Sequence, residues 1–336
     1  MPRSAAIRPG DALTRALASF SPALPLAVAY SGGADSTGLL ALCARQWPGQ
    51  VAAVHVHHGL QAAADDFERH CVQTCATLEV PLSVQRVDAR HASGQSPQEA
   101  AREARYAALA EALRVPIGGL SCQSLALAQH ADDQLETIVL ALSRGAGLPG
   151  LSGMRSTWDA GGVRYHRPLL EVAASDIRDW LAASALGFVE DPSNSNEAYT
   201  RNRIRARVLP ALDASFAQAR VTFARSAAHA AQAQLLLDEV AQQDLVLLRG
   251  SGTGTLAIAQ LRTLSRPRLA NLLRHWLKSV CGAAASAAQL AELQDQIMAC
   301  ATRGQQIRIK VGDGLAVRRG QNLAWYNGAS EPGTAG

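Results

Sequence analysis

Residues 31–36, with the sequence SGGADS, combine the residue types that protein loops use to bind phosphate. Two glycines let the backbone turn sharply and bring its N–H groups close to a ligand, and a helix that starts there adds partial positive charge. The loop lacks the lysine of common ATPase loops and the GxGxxG spacing of dinucleotide-binding loops. We interpret it as a phosphate-binding loop of another kind; an ordinary glycine turn capped by Ser31 or Asp35 is the alternative.

A second group of chemically active side chains follows the apolar segment SLALAQH, in the stretch HADDQLET. Asp133 and Glu136 are three residues apart, so both carboxylates share one face once a helix begins there. Such a pair can hold a magnesium ion or bind the ammonium group of a substrate. The alternative is that these carboxylates, with Asp132, only favour the helix dipole, but the neighbouring His130 favours a functional site.

The elements around these stretches must position them, and the first two hundred residues alternate between strand-like and helix-like segments. Strands are predicted at residues 24–30, 51–58, 82–88 and 124–130, and helices at residues 11–20, 37–46, 65–79, 96–114 and 131–144. This alternation predicts an α/β fold with a doubly wound, mostly parallel sheet. Because ligands bind such sheets at the carboxyl ends of the strands, we expect SGGADS and HADDQLET at the same edge.

The length of 336 residues and the 48% hydrophobic content favour two domains. We expect a catalytic domain over residues 1–212, a helical linker over 213–250, a smaller, mainly helical C-terminal domain over 251–328 and a disordered tail over 329–336. Within the C-terminal domain the patterns predict a strand at 255–261, helices at 266–282 and 286–303, and a hairpin at 307–327 that turns at 312–314.

The composition also excludes several classes of protein. No apolar run reaches the ~20 residues of a membrane-spanning helix, and the first residues lack a secretory signal, so we expect a cytoplasmic protein without a membrane partner. Six cysteines without CxxC spacing indicate neither a disulfide framework nor a metal cluster. The net charge is +4, and nearly all of the positive charge is arginine, which suits bidentate contacts with phosphate.

Two further clusters allow more than one interpretation. His55 and His57 share one face of a predicted strand, but a zinc site needs a third ligand that the sequence does not offer. The segment TRNRIRARVLP starts a predicted helix with four arginines at alternate positions, Arg201, Arg203, Arg205 and Arg207. It is either a solvated helix start or a loop-to-helix clamp for RNA phosphates.

Six motifs together resemble those of one family, in the same order along the chain: SGGADS, HVHHGLQ, HADDQLET, GAGLPGLSGM, HRPLL and EDPSNSNEAYTRNRIRARVLPAL. The family is that of the bacterial tRNA(Ile)-lysidine synthetases, within the N-type ATP pyrophosphatases or PP-loop superfamily, and the resemblance runs from about residue 24 to about residue 212. It implies an enzyme that uses ATP to adenylate C2 of the wobble cytidine in the CAU anticodon of tRNA(Ile). Free L-lysine then displaces AMP, which gives lysidine.

The resemblance also implies roles for individual residues. ATP binding falls on seven residues: Ser31, Gly32, Gly33, Ala34, Asp35, Ser36 and His58. The implied catalytic residues are Asp35, which would hold Mg²⁺, Arg105, which would face an ATP phosphate or a substrate carboxylate, and the lysine-binding pair Asp133 and Glu136. Binding of tRNA falls on Arg201, Asn202, Arg203 and Arg205. Gln61 stands where the family has an arginine, which puts a phosphate contact in that loop in question.

Three rival functions stay open at the level of sequence. Another PP-loop enzyme could thiolate a tRNA base, although the CxxC pairs that bind a cluster in 2-thiocytidine synthetase are missing. A small-molecule PP-loop synthetase would share SGGxDS without the EDPSN to RNRIR segment. An RNA-binding module with an inactive site is the non-enzymatic alternative, and the intact loop argues against it. The sequence leaves a homodimer open.

Overall fold

A computed structural model of the protein describes residues 11–57, 64–87, 97–301 and 304–327. The chain divides into two compact units, Met1–Ala230 and Ala231–Gly336. Within the described ranges, no helix combines the length and the apolar character that crossing a membrane requires.

The first unit is built on a six-stranded sheet with the strand order β3-β2-β1-β4-β6-β5. The strands are β1 Leu26–Ala29, β2 Val51–His57, β3 Leu82–Arg86, β4 Ser124–Ala126, β5 Thr157–Ala160 and β6 Val163–His166. All neighbouring pairs are parallel except β5 with β6. The predicted doubly wound, mostly parallel sheet is therefore confirmed, and the antiparallel hairpin at its edge is an addition that the sequence patterns did not predict.

Helices cover both faces of this sheet because the central strands are apolar on both sides. The helices are α1 Asp11–Ala18, α2 Ala34–Gln46, α3 Ala64–Thr77, α4 Pro97–Ala112, α5 Ala131–Ser143, α6 Leu148–Leu151 and α7 Ala174–Ala183. Along β1, Leu26 and Val28 point into one core cluster, whereas Ala27 and Ala29 point into the other. Such two-sided burial is typical of parallel sheets, and it leaves the strand ends as the exposed edge.

A helical segment with changing geometry follows the sheet. It starts with a 3₁₀ turn, Pro192–Ser195, and continues through α8 Thr200–Arg203, a π-helical turn Ile204–Val208 and α9 Leu209–Ser215. Ile204 and Leu209 are buried in a small cluster with Leu135 and Leu140 of α5, which anchors the segment on that helix. The long helix α10, Ala219–Leu247, then runs across the boundary between the two units.

The second unit packs helices on a four-stranded antiparallel sheet with the order β7-β10-β9-β8. Its elements are β7 Leu256–Ala257, α11 Ile258–Leu261, α12 Arg266–Ser279, α13 Ala287–Ala299, β8 Arg308–Val311, β9 Gly314–Arg319 and β10 Asn322–Asn327. The predicted turn at 312–314 is present, and the chain turns again to add a third strand. The strand predicted over 255–261 is wrong beyond Ala257, because burial of Ile258 and Leu261, three residues apart, favours a helical turn.

Candidate active site

The SGGADS loop connects the end of β1 to the start of α2 at the carboxyl edge of the sheet. Gly32 has a φ of +87°, in the left-handed region that favours glycine. A Cβ atom there would lie 3.1 Å from Val189 and 3.2 Å from the Cys71 sulfur, so a side chain would be crowded as well as strained by the backbone conformation. Among the described residues, no side chain caps α2, so the N–H groups of its first turn are available to an anionic ligand.

Hydroxyl groups hold the loop in shape. The Ser31 N–H donates to Ser36 Oγ at 3.2 Å, and the Ser36 hydroxyl donates to the Gly33 carbonyl oxygen at 3.0 Å. The Thr37 hydroxyl also donates to the Gly33 carbonyl, at 2.9 Å. Two of these bonds use the Gly33 carbonyl as the acceptor, and none of the three occupies an N–H group at the start of the helix, so they fix the turn and leave those groups available.

The loop opens onto a cavity of about 910 Å³ in the first unit, whose walls include Ser31, Gly33, Asp35, Arg105 and Arg205. A volume of this size lies within the range of small-molecule and cofactor sites. The Arg105 guanidinium makes no hydrogen bond or ion pair with any of the residues described in this structure, and burial lowers its pKa. An unpaired arginine in a cavity wall is suited to an anionic group of a ligand.

His130 connects the loop with the acidic stretch. Its Nε2 atom lies 3.5 Å from Asp35 Oδ2 and 3.5 Å from Asp133 Oδ2, and its Nδ1 atom lies 3.6 Å from Asp132 Oδ2. Burial opposes the charged ring, but the hydrogen bond to Asp35 and the surrounding carboxylates outweigh it and raise the pKa of His130. The expectation that SGGADS and HADDQLET meet at one edge of the sheet is therefore met, with an imidazole between them.

The two carboxylates predicted to bind lysine lie on one face of α5. Asp133 caps the helix with one oxygen, since its Oδ2 atom accepts the His130 N–H at 3.1 Å. Its other oxygen, Oδ1, accepts a bond of 2.7 Å from Arg205 Nη2. The Glu136 side chain is fully buried, its Oε1 atom pairs with Arg205 Nε, and its Oε2 atom has no partner among the described residues.

The structure separates the four residues that the sequence grouped as a tRNA clamp. Arg205 lies in the cleft on Asp133 and Glu136, whereas Arg201 and Arg203 are exposed on the surface. Arg203 donates to the backbone carbonyls of Glu197 and Ala198, and Asn202 donates to the carbonyl of Asn196 at 2.9 Å. The π-helical turn begins between Arg203 and Arg205 and changes the direction in which the second side chain points.

Sequence reasoning missed an arginine that holds the edge strands against the site. Arg167, from the HRPLL motif, is buried and donates to Gln129 Oε1 at 3.0 Å, to the Arg155 carbonyl at 2.7 Å and to the Tyr106 hydroxyl at 3.3 Å. Its guanidinium also lies over the Trp158 ring, 4.0 Å from the centroid. A polar residue inside an apolar motif was the available signal.

A second omission is the ion pair of Asp132 with Arg220, which joins residues 88 apart in the chain. No local pattern connects two residues at that separation.

The histidines of β2 have structural partners. His55 Nδ1 lies 2.9 Å from the Tyr30 carbonyl oxygen, and His57 Nε2 lies 3.2 Å from Asp65 Oδ1. Across the ranges that the structure describes, no group of three or more His, Cys, Asp or Glu side chains is arranged to hold a metal ion. His58, which the resemblance assigned to ATP binding, and Gln61, which replaces the family's arginine, lie outside the described residues.

The parallel sheet with a glycine-rich phosphate loop after its central strand β1 defines a PP-loop nucleotide-binding domain, and residues 11–212 match the PP-loop domain family. Residues 256–325 match the TilS substrate binding domain family. The chain belongs to the tRNA(Ile)-lysidine synthase family, as its motifs predicted.

Individual relatives agree with this family, and a solved structure shares the fold of its first unit. The chain is 54% identical over 320 residues to the tRNA(Ile)-lysidine synthase of Polaromonas naphthalenivorans strain CJ2, which covers 95% of this chain and 94% of that protein. It is 43% identical over 293 residues to the enzyme of the same name from Burkholderia pseudomallei strain K96243, covering 86% of this chain and 59% of that protein. The U34-tRNA thiolase NcsA from Methanococcus maripaludis has a similar fold, with a TM-score of 0.55 and 14% identity over 65% of this chain and 76% of that one.

Proposed function

We propose that this chain is a tRNA(Ile)-lysidine synthetase. It activates the wobble cytidine of a CAU anticodon with ATP, releases pyrophosphate, and then joins L-lysine to C2 of the base with release of AMP. One observation carries the proposal: the phosphate loop and the acidic start of α5 meet at a single point. Asp35 and Asp133 each lie 3.5 Å from the same His130 nitrogen, so a nucleotide and an ammonium group bound at these sites are brought next to each other.

The first step needs stabilisation of the charge that develops on the phosphates. The free N–H groups at the start of α2 and the positive end of the helix dipole supply it from residues 31–36. Arg105 adds a guanidinium from the wall of the same cavity, and it has no partner among the described residues. In this step the O2 oxygen of the cytidine attacks the α-phosphorus of ATP, and pyrophosphate leaves with the bonding electrons.

Asp35 fits the requirements of a magnesium ligand. Mg²⁺ prefers oxygen ligands and is usually held by one or two protein carboxylates together with substrate phosphates, and the Asp35 side chain is 39% exposed beside the phosphate loop. A bound Mg²⁺ would neutralise charge on the ATP phosphates.

The second step joins the ε-amine of L-lysine to the activated base. The amine nitrogen attacks C2, the bond from C2 to the oxygen breaks, and AMP leaves with that oxygen while the nitrogen loses a proton. Asp133 and Glu136 bind an ammonium group of the substrate from the wall of the cleft. Because the Glu136 side chain is fully buried, its carboxylate interacts with that group with little screening by water.

The tRNA contacts are proposed on two basic surfaces, each within one unit. In the first unit, Arg201 and Arg203 are exposed at the start of the helical segment that borders the cleft, and the half-buried Asn202 lies between them. In the second unit, Arg308 and Lys310 alternate with buried residues along β8 and therefore share the outer face of the sheet.

The outer face of that second sheet is suited to a phosphate backbone. Arg319 is exposed on the same face, its guanidinium 4.1 Å from the ring centroid of Tyr326, and strand pairing places Lys310 and Tyr326 on either side of Leu315 on that face. None of Arg308, Lys310 and Arg319 forms an ion pair with a carboxylate of the described residues, so their charge is available to RNA. Two other arginines of this unit are paired with carboxylates instead, Arg266 and Arg268.

The experiment is incorporation of radiolabelled L-lysine by the purified chain with ATP and magnesium, using the CAU-anticodon isoleucine and methionine tRNAs in separate reactions. We expect label only in the isoleucine tRNA. Release of AMP without incorporation into either tRNA would refute lysidine formation and redirect the search to another nucleophile, such as the sulfur donor of a thiolation. ATP–pyrophosphate exchange that needs no tRNA would instead indicate a small-molecule synthetase.

A further inference from the structure

A cation from the chain itself occupies the acidic pair that we assign to lysine. The Arg205 guanidinium bridges Asp133 and Glu136, with Nη2 2.7 Å from Asp133 Oδ1 and Nε on Glu136 Oε1. The exposed fractions of the side chains are 14% for Asp133 and 0% for Glu136, against 40% for Arg205. The carboxylates are thus fixed in the wall of the cleft, and the arginine lies over them from the solvent side.

In the folded protein, Arg205 provides the positive charge that pairs with the buried Glu136 carboxylate. A buried carboxylate without a partner is strongly unfavourable, and Glu136 lies where water does not reach it. Burial raises the pKa of Glu136, and the hydrogen bond and positive charge of Arg205 act against that rise. Any ligand that provides an ammonium group at the same place meets the same need, so exchange of one cation for the other leaves no carboxylate unpaired.

The position of Arg205 lets the side chain leave while its backbone stays in place. It lies in the π-helical turn Ile204–Val208, and the flanking Ile204 and Leu209 are buried against α5. Turns of this kind are frequent at functional sites. Among the described residues, the two carboxylates are the hydrogen-bond partners of the Arg205 side chain, so a cation that competes for them breaks both of these bonds.

The surroundings also offer the released guanidinium a second position. Arg205 lines both the cavity of about 910 Å³ at the phosphate loop and a neighbouring cavity of about 380 Å³ that contains Asp35 and Arg220. After displacement its side chain remains at the mouth of the nucleotide site, within reach of phosphate groups. An arginine suits such contacts because its planar guanidinium binds phosphate oxygens in pairs.

We propose that Arg205 is a displaceable internal cation that occupies the ammonium site until L-lysine enters and takes its place on Asp133 and Glu136. The proposal rests on the function proposed above. Lysine binding is then an exchange of cations rather than the filling of an open acidic pocket. The exchange lowers the apparent affinity for lysine and keeps the buried carboxylates paired in the absence of substrate.

The test is the affinity of the full chain for L-lysine without tRNA, measured by calorimetry for the native protein and for Arg205→Gln. Removal of the internal competitor should tighten lysine binding by about tenfold, since the substrate no longer has to break two charge-assisted hydrogen bonds. Arg207→Gln is the matched control, because Arg207 is two positions further along and pairs with the surface residue Glu197. Its lysine affinity should equal that of the native chain. Equal or weaker binding by Arg205→Gln would overturn the proposal.

A second measurement replaces the lost side chain with a free ion. In Arg205→Ala, millimolar guanidinium chloride should weaken lysine binding relative to potassium chloride of the same concentration, whereas the native protein should not distinguish the two salts. Absence of competition in Arg205→Ala would also overturn the displacement. Arg205→Lys keeps a positive charge over the buried Glu136 and serves if the other variants do not fold. Its ammonium is a weaker competitor because it cannot make the two-pronged contact that the guanidinium makes with Asp133 and Glu136. It should therefore bind lysine more tightly than the native chain, and equal or weaker binding again refutes the proposal.

The two proposals fail separately. Native incorporation of lysine into tRNA combined with unchanged or weaker lysine binding by Arg205→Gln rejects only the displacement. Tighter lysine binding by that variant, combined with no incorporation by the native chain, rejects lysidine synthesis and leaves the cation exchange standing.

Discussion

The ion pair between Asp132 and Arg220 gives a prediction whose size follows from its geometry. Asp132 lies between His130 and Asp133 at the start of α5, and its side chain is 13% exposed. Its Oδ1 atom accepts from Arg220 Nε at 2.7 Å and Nη2 at 2.6 Å, and its Oδ2 atom accepts from the Ala174 N–H at 2.9 Å. The carboxylate therefore ties the first turn of the catalytic helix to the starts of α7 and α10.

The perturbation is Asp132→Asn, which keeps the shape of the side chain and removes its charge. Hydrogen bonds to charged groups contribute ~1.5–3 kcal/mol each and neutral ones ~0.5–1.5 kcal/mol. Since the amide can keep only part of this pattern, we expect the free energy of unfolding to fall by about 2 kcal/mol. A domain of this size loses roughly 2–4 °C in Tm per kcal/mol, so the melting temperature should fall by about 4–8 °C.

The assay is a double-mutant cycle of Asp132→Asn with Arg220→Gln, followed by urea and thermal unfolding. A coupling energy of ~1–3 kcal/mol is expected for residues in one partly buried network. The control cycle uses Arg178 and Glu190, which are paired at 2.9 Å but 53% and 70% exposed, so that their coupling should stay below about 0.5 kcal/mol. A coupling between Asp132 and Arg220 no larger than that of the control pair would refute the reasoning.

The stabilisation that the Asp132–Arg220 ion pair contributes depends on pH, and the pKa of Asp132 sets the direction. Burial opposes ionisation of Asp132, but the hydrogen bonds from Arg220 and the Ala174 N–H outweigh it and lower its pKa in the folded protein. A depressed folded pKa means that the stabilisation is complete above the unfolded value of about 3.9 and is lost as the pH falls through the folded value. The contribution of the Asp132 charge to the difference in stability between the native chain and Asp132→Asn should therefore shrink below about pH 4, as Asp132 becomes protonated.

Three further predictions concern activity and RNA binding. Asp35→Asn should abolish ATP–pyrophosphate exchange while tRNA binding changes less than about twofold, and unchanged turnover would remove Asp35 from the site. Arg105→Gln should raise KM about tenfold for the substrate whose anionic group it binds, ATP or L-lysine. KM values that match those of the native chain for both substrates would return Arg105 to a structural role. Joint replacement of Arg308, Lys310 and Arg319 by Gln should flatten the salt dependence of tRNA binding. The slope of log affinity against log salt concentration should fall by up to ~0.9 per lost phosphate contact in a filter-binding titration. An unaltered slope would exclude this face from tRNA binding.

Local patterns in the sequence determined the sheet and the phosphate loop. The apolar run of β1 is long enough to be buried on both faces, and a turn with φ of +87° strongly favours glycine at Gly32. Both requirements act within a few residues, so both are visible in the sequence. The same holds for Asp133 and Glu136, because helical periodicity alone places them on one face. The order of the motifs then identified the family.

Local patterns were insufficient wherever a residue depends on a partner far along the chain. Arg205 looks the same in sequence as Arg201, Arg203 and Arg207, yet it pairs with Asp133, 72 residues earlier. The π-helical turn that directs it into the cleft has no signal of its own, and the burial that makes Glu136 need a cation arises only when α5 packs beneath that turn. The amino-acid sequence thus determined which chemical groups the site contains. Tertiary packing decided which of them face one another, because the desolvation that makes a charge demand a partner exists only in the folded protein.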